Sequence, residues 1–190
     1  YLRSKAEAEQ RVLAFQTAEN GETTIFRPSV IFGRGDSFIN LFAQLIRSLP
    51  IVVLACPNAR FQPIHVEDVA RAFVDNLDQA HTFGQAYDLC GPKIYTLREL
   101  ITLIAALLGK RRPIIGLSDR LSYLQAWLME WLPVKLMTRD NYYSMQVDSV
   151  CNCDFPFDFQ PSTLESIVPD YLNGESPRGK YALFRNRAGR

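Results

Sequence analysis

The chain has 190 residues, of which 47% are hydrophobic, and its 21 Lys and Arg against 20 Asp and Glu leave a formal net charge of only +1. This composition is typical of a globular domain, and without a basic excess we expect no nucleic-acid partner. No apolar run reaches the roughly 18 residues that a membrane-spanning helix needs.

The chain opens with Tyr1 and Lys5 at the start of a predicted helix over residues 4–18. Side chains four residues apart lie one turn apart on the same helix face. A phenol has a pKa of about 10, and a nearby ammonium group lowers this pKa because it favours the phenolate. The pair can therefore give or take a proton at a carbonyl or alcohol carbon. The alternative is that both are ordinary helix-surface residues.

Residues 20–21 (Asn-Gly) predict the end of this first helix. A buried strand is predicted over residues 23–26, ending at Arg27 and Pro28, because β-branched and aromatic residues follow one another there. A loop with two glycines covers residues 29–35, and a helix with an apolar stripe follows over about 37–48.

The middle of the chain continues this alternation of strands and helices. Residues 51–54 and 61–66 are predicted to be extended, and a helix begins at Glu67. Residues 86–90 predict another strand, and Thr96 with Glu99 predicts a capping box for a helix that ends at Gly109. The order predicts an α/β fold with a parallel sheet.

The later part of the chain becomes mainly helical. Short helices are predicted from Ser118 or Asp119 to about Leu132, after Thr138, and over residues 162–168. We therefore predict three regions: an α/β part with a parallel sheet over 1–110, a small mainly helical lobe over 111–175, and a polar basic tail over 176–190.

The helix around residues 121–132 carries a broad apolar stripe. Its members are Leu121, Leu124, Leu128, Trp131 and Leu132. One interpretation is that the stripe packs on its own domain. The other is that it docks on a membrane surface or a partner subunit, since Trp side chains favour such boundaries.

The four cysteines do not have the spacing of a zinc site, so we predict no metal. They are Cys56, Cys90, Cys151 and Cys153. We expect the cysteines to be reduced and mostly buried, as in a cytoplasmic protein. Peripheral attachment to the inner face of a membrane is also compatible with the sequence.

Several motifs occur in a characteristic order. They are Tyr1-x-x-x-Lys5, FRPSVIFG over 26–33, PIHVEDVA over 63–70, and YDLCG over 87–91 followed by TLREL over 96–100. Together they resemble the C-terminal part of the extended short-chain dehydrogenase/reductases, the NAD-dependent epimerase/dehydratase family. Residues 62–66 and 148–151 most resemble its atypical branch, which contains the NADH-binding accessory subunit of respiratory complex I and bacterial relatives.

The resemblance implies that residues 1–110 are the C-terminal part of an NAD(P)-binding Rossmann-like domain with interleaved lobe segments, and that the mainly helical lobe over 111–175 holds substrate. It also implies a nicotinamide cofactor, NAD or NADP, and specific roles for matching residues. Tyr1 would be the catalytic acid/base, and Lys5 would lower its pKa and bind the nicotinamide ribose. The segment Arg27, Pro28, Ser29 and Val30 would lie against the nicotinamide. Substrate contacts would come from Arg34, Arg60 and His65, although His65 and Asp68 also suit a purely orienting role.

Some features of the family are missing from this sequence. The Gly-rich pyrophosphate loop that opens such a sheet is absent, as is the catalytic Ser or Thr upstream of the Tyr, so we expect the chain to be the later part of a longer protein. Phe61 stands where sugar-nucleotide epimerases usually have Arg, and Arg60 is displaced by one position. We therefore expect an oxidoreductase-like protein acting on an unidentified small molecule, or a non-catalytic NAD(P)H-binding accessory or assembly subunit of a respiratory NADH-quinone oxidoreductase.

Overall fold

A computed structural model describes residues 2–19, 22–131 and 137–172. Tyr1, Leu132 and the predicted tail lie outside the described residues. The described helices are α1 (Leu2–Glu19), α2 (Ser37–Ser48), α3 (Val66–Asp75), α4 (Leu97–Leu107), α5 (Asp119–Met129), α6 (Arg139–Ser144) and α7 (Leu164–Leu172). The strands are β1 (Ile25–Pro28), β2 (Ile31–Phe32), β3 (Val52–Leu54), β4 (Arg60–Phe61), β5 (Ile64–His65), β6 (Ala86–Leu89), β7 (Tyr95–Thr96) and β8 (Ile114–Gly116).

Three of the four described strand pairs are parallel. Strand β1 pairs with β6, β2 with β5, and β3 with β8, whereas β4 and β7 are antiparallel. In the longest pair the register places Pro28 beside Leu89, so both strands end at the same edge. The predicted α/β fold with parallel strands is confirmed. The proposed division of the chain near residue 110 stays a prediction.

The main hydrophobic core lies between α2, α4 and α7, next to β3. Buried side chains from these elements include Ile39, Ile46, Leu100, Ile104 and Val168, each with no exposed surface. The predicted capping box is present, because Thr96 Oγ1 accepts from Glu99 N and Glu99 accepts from Thr96 N. The Glu99 carboxylate accepts hydrogen bonds from Thr96 N and Thr96 Oγ1, and these bonds lower its pKa. Capping fixes where α4 begins and so brings its apolar face onto the core.

Helix α5 packs against the rest of the protein with the face that lies opposite its apolar stripe. Ser122 and Ala126 are fully buried, whereas Leu128 is 55% and Trp131 78% exposed. Ser122 explains this orientation, since its Oγ accepts from Cys56 N at 3.0 Å and donates to Ser118 O at 2.9 Å. The interpretation that the stripe packs on its own domain is therefore wrong for the described members of the stripe.

The cysteines also differ from the expectation of four reduced thiols. Cys90 and Cys151 form a disulfide across a sequence separation of 61 residues. Cys56 and Cys153 are free. The two cysteines meet because of the topology of the chain. Cys90 directly follows β6, and a β-bridge between Ser149 and Phe61 holds the segment that contains Cys151 beside the same strands.

A hydrogen bond between Tyr95 on β7 and Glu165 on α7 joins these two elements, and the Glu165 carboxylate makes part of the stability depend on pH. Tyr95 donates its hydroxyl to Glu165 at 2.8 Å, and Lys93 Nζ lies 3.2 Å from the same carboxylate. Burial acts to raise the pKa of Glu165, but these hydrogen bonds outweigh it and the pKa lies below its ordinary value. The carboxylate therefore stabilises the fold above its ordinary pKa, and this contribution is lost as the pH falls through the lowered pKa.

We expect Glu165→Gln to lower the free energy of unfolding by about 1 kcal/mol at neutral pH, because the carboxylate is partly exposed and its hydrogen bonds are screened. The difference from the parent protein should shrink as the pH falls through the lowered pKa. Urea unfolding of both proteins across the acid range measures it. Asp170→Asn, an exposed change on the same helix, serves as the control. A Glu165→Gln effect that stayed constant down to the lowest pH would contradict the role of the charge.

Candidate functional site at the carboxyl edge of β1 and β6

The segment after β1 is held at the carboxyl ends of the parallel strands. Pro28 is exposed at the end of β1, and Ser29 N donates to Leu89 O at 2.9 Å. Val30 O accepts from Ile64 N at 3.0 Å, so the segment also contacts β5. In open α/β sheets, ligands bind outside the carboxyl ends of the strands. The segment predicted to lie against a nicotinamide is thus at the edge where a ligand is expected.

A segment more than a hundred residues later completes this edge. Ser29 Oγ donates to Ser149 O at 2.8 Å and lies 3.0 Å from Ser149 Oγ. Ser149 N donates to Arg60 O at 2.9 Å, and Gln62 N donates to Ser149 O at 2.9 Å. Residues around 149 therefore run beside β4 and brace the segment after β1.

The side chain of Gln62 links the two ends of the disulfide. Its Nε2 donates to Gly91 O at 2.7 Å, and its Oε1 accepts from Cys151 N at 3.0 Å. Gly91 N in turn donates to Gln62 O at 3.2 Å. A cavity of about 410 Å³ is lined by Gln62, Gly91, both disulfide cysteines and the exposed Cys153, among others. We call Ser29, Gln62, Gly91, Ser149 and the Cys90–Cys151 disulfide the edge network.

Arg27 ties the helix that carries Lys5 to the sheet. Its Nε donates to Glu9 Oε2 at 3.1 Å, and a second contact joins Nη2 to Glu9 Oε1. Arg27 Nη1 also lies 3.6 Å from Asp88 Oδ1 on β6. The hydrogen bond from Arg27 lowers the pKa of Glu9, and the same bond raises the pKa of Arg27. Arg27 is therefore engaged in fixing α1 against β1 and β6.

The remaining predicted site residues occupy different places. Lys5 is exposed on α1, one turn before Glu9, and Tyr1 lies outside the described residues. Arg34 is exposed in the turn before α2. Arg60 pairs with Asp148 at 3.7 Å, beside a cavity of about 320 Å³ that Asp148 helps to line. Of the predicted set, the structure thus joins Ser29 and Arg60 through the segment 148–149.

His65 and Asp68 have packing and hydrogen-bond partners of their own. His65 is 93% buried, and its ring centroid lies 5.4 Å from that of Phe32. Asp68 accepts from Ser162 N at 2.7 Å and from Ser162 Oγ at 3.3 Å. Asp68 thereby holds the segment before α7 against α3. Their assignment as orienting residues stays a prediction.

Sequence reasoning did not assign Gln62, Gly91 or the disulfide to the site. The signal that could have found them was the similarity of residues 62–66 and 148–151 to one branch of the family, because both segments meet at this edge. Within the described ranges, no group of three or more His, Cys, Asp or Glu side chains is placed to bind a metal ion. No described helix is both long and apolar enough to cross a membrane.

Comparison with known proteins agrees with the family resemblance. Residues 1–90 match the model of the NAD dependent epimerase/dehydratase family. The predicted family is confirmed over this segment. The matched segment contains Lys5 and the loop after β1, and it includes Ser29, Gln62 and Cys90 of the edge network, whereas Gly91, Ser149 and Cys151 lie beyond it.

Curated relatives resemble the chain over part of their length. The chain is 35% identical over 107 residues to the Arabidopsis thaliana protein named NADH dehydrogenase [ubiquinone] 1 alpha subcomplex subunit 9, mitochondrial, covering 54% of this chain and 25% of that protein. It is 24% identical over 190 residues to the Neurospora crassa NADH-ubiquinone oxidoreductase 40 kDa subunit, covering 96% of this chain and 48% of that protein. The chain therefore spans half or less of the length of these relatives.

Solved structures share the fold. A dTDP-glucose 4,6-dehydratase from Streptomyces venezuelae, with NAD and TYD bound, has a TM-score of 0.67 at 17% identity, and the match covers 94% of this chain and 52% of that one. RMD from Pseudomonas aeruginosa, complexed with NADPH, has a TM-score of 0.53 at 25% identity, covering 61% of this chain and 42% of that one. The first likeness extends the shared fold through the helical later part of the chain.

Proposed function

We propose that the chain supplies the nicotinamide side of an NAD(P)-binding site in an oxidoreductase-like protein of the epimerase/dehydratase type. The observation that carries the proposal is the position of the Pro28–Val30 segment. It is fixed at the carboxyl edge of β1 and β6, beside a helix that carries Lys5 and that Arg27 ties to the same two strands. A nicotinamide dinucleotide bound here would supply hydride transfer.

The residues at this edge fit the nicotinamide half of such a cofactor. Exposed Pro28 offers a rigid apolar surface to a planar ring, because its backbone is restricted by the pyrrolidine ring. Lys5 would donate to ribose hydroxyls and would stabilise the phenolate of Tyr1. Ser29 Oγ is already engaged with Ser149, so Ser29 would position the segment and not contact the cofactor.

A second candidate function is a non-catalytic NAD(P)H-binding accessory subunit of a respiratory NADH-quinone oxidoreductase. Two observations favour it. The curated relatives above are named as subunits of mitochondrial NADH dehydrogenase or NADH-ubiquinone oxidoreductase. In addition, α5 presents half-exposed Leu121, Leu124 and Leu128 together with Trp131. An exposed apolar face of this kind is typical of a surface that a partner subunit or a membrane covers.

Both candidates predict dinucleotide binding, and turnover separates them. We expect the full-length polypeptide to enhance the fluorescence of NADH or NADPH. Lys5→Met should weaken this binding at least about tenfold, since it removes charge-assisted hydrogen bonds. Lys110→Met, which removes one lysine at the end of the turn after α4, should leave the affinity unchanged.

Turnover is then assayed on a panel of carbonyl and sugar-nucleotide substrates, with Tyr1→Phe as the inactive comparison. Turnover that Tyr1→Phe abolishes would support the enzyme. Binding of the dinucleotide without any turnover would support the accessory subunit. Failure to bind either dinucleotide would overturn both candidates.

A further inference from the structure

Three of the four cysteines line one cavity. The cavity of about 410 Å³ at the edge network is bordered by Cys90, Cys151 and Cys153. The first two form the disulfide, whereas Cys153 is free and exposed. A thiolate attacks a disulfide that it can reach, and the products are a new disulfide and a new thiol. The cavity therefore holds both reactants of a thiol–disulfide exchange.

The path of the chain brings Cys153 within reach of Cys151. Two residues of fully extended chain span at most about 7 Å between Cα atoms. The chain bends at Asn152 and Cys153, which shortens this span. Disulfides join Cα atoms that are usually about 4.4–6.8 Å apart. A disulfide between Cys151 and Cys153 therefore needs only a local adjustment of this bend.

The sulfur atoms of the cavity differ in their access to an external reductant. Cys90, at the end of β6, is only 6% exposed, and Cys151 is half-buried. The rate of exchange depends on access to the sulfur that is attacked. A disulfide between Cys151 and the exposed Cys153 would be open to a reductant that the Cys90 sulfur excludes.

We propose that Cys153 is a thiol-exchange site through which an external dithiol opens the Cys90–Cys151 disulfide. The Cys153 thiol loses its proton to solvent, and the thiolate attacks Cys151 Sγ. The bond from Cys151 to Cys90 breaks, its electron pair leaves with Cys90 Sγ, and this thiolate takes up a proton. The external dithiol then reduces the new Cys151–Cys153 disulfide to two thiols and is itself oxidised to a disulfide.

The charges at the cavity favour an uncharged dithiol. Asp88 and Asp154 line it, and none of the other described residues that line it carries a charge. Arg27 lies 3.6 Å from Asp88 and offsets part of that charge, whereas Asp154 directly follows Cys153 in the chain. An anionic thiol is therefore repelled at the place where it must react.

Opening the disulfide acts on the edge network. Cys151 lies two residues after Ser149, whose backbone oxygen accepts from Ser29 Oγ. Without the cross-link to Cys90 this segment is less constrained, so the reducing power of the surroundings acts on the Pro28–Val30 segment. The exchange itself involves no dinucleotide and does not rest on the proposed function.

Reduction kinetics of the oxidised, full-length polypeptide test the exchange. The folded protein is mixed with dihydrolipoamide, an uncharged dithiol, its thiols are alkylated at intervals, and mass spectrometry of the peptides reports the state of each cysteine. Cys153→Ser should slow the opening of Cys90–Cys151 about tenfold, because the reductant must then attack a less accessible sulfur. Cys56→Ser removes the other free thiol and should leave the rate unchanged. Equal rates for the parent protein and Cys153→Ser would overturn the proposal.

Two further measurements check the path and the co-reactant. Cys90→Ser leaves Cys151 and Cys153 as thiols, and treatment with diamide should join them in a disulfide; failure to form this bond would also overturn the exchange. Dihydrolipoate is the same dithiol with a carboxylate, and it should open the parent disulfide more slowly than dihydrolipoamide. Equal rates with the two dithiols would overturn the selection of an uncharged one. NADH binding by the oxidised parent protein reports on the proposed function separately.

Discussion

We expect Cys151→Ser to lower the free energy of unfolding by about 4 kcal/mol, because the Cys90–Cys151 disulfide closes a loop with a sequence separation of 61 residues. A cross-link over a long loop restricts the unfolded chain, and removing it restores that conformational freedom. The loss should also affect the site, since Cys151 N donates to Gln62 and Ser149 lies two residues away against Ser29. NADH affinity should therefore fall together with stability.

The chain offers matched controls for this change. Cys153→Ser, two positions later and exposed, should alter neither property. Reducing the parent protein should reproduce the Cys151→Ser effect, and the double variant Cys90→Ser/Cys151→Ser should be no less stable than Cys151→Ser alone. Urea unfolding with and without reductant gives the free energies. If oxidised and reduced parent protein unfolded at the same urea concentration, the disulfide would not be a stabilising element of this fold.

Gly91→Ala is expected to destabilise the protein by about 3 kcal/mol or more, as overpacking a close backbone contact does. A Cβ at this position would lie 1.8 Å from Pro63 O, which is a backbone atom and cannot move by a side-chain rotation. The two chain segments would have to separate, which would break the hydrogen bonds between Gly91 and Gln62. We therefore expect weaker NADH binding as well.

Gly116→Ala is the matched control for this substitution. Its Cβ would lie closest to Arg98 Nη2, at the end of a flexible side chain that can move away. Two ring atoms of Pro57 would lie at 2.9 and 3.0 Å, a much milder overlap than the 1.8 Å at Gly91. We expect a clearly smaller loss of stability for Gly116→Ala, with NADH affinity unchanged. Urea unfolding of both variants gives the two losses of stability for comparison, and fluorescence titration with NADH gives the two affinities. Equal losses in the two variants would show that the approach of Gly91 to Pro63 is not the cause.

Much of the secondary structure could be predicted from the sequence, because it depends on residues that are close along the chain. The helix from Leu97 begins at Thr96 as predicted, since its capping box involves only residues three positions apart. The parallel strand pairs follow from the alternation of short apolar segments with helices. Burial is harder to predict from neighbouring residues: on α3, Val69 is buried, whereas the apolar Phe73 and Val74 are 48% and 66% exposed.

The candidate site could be predicted only in part, because some of its contacts join residues that are far apart along the chain. The motif around Pro28 and Lys5 predicted where a nicotinamide would lie, and the structure places Pro28 at the carboxyl edge of two parallel strands. The partners of that segment could not be predicted from spacing. Ser29 contacts Ser149 across 120 positions, and Gln62 contacts Cys151 across 89. Such contacts depend on how the later segment returns to the sheet.

The sequence by itself determined the local elements, their caps, the α/β order and the family motifs, because each rests on residues that are close along the chain. Tertiary structure alone decided which cysteines pair and which face of α5 is buried. The physical reason is that hydrophobic burial has no direction of its own. An apolar stripe predicts that a surface can be buried, but hydrogen bonds such as that of Ser122 to Cys56 decide which surface is covered.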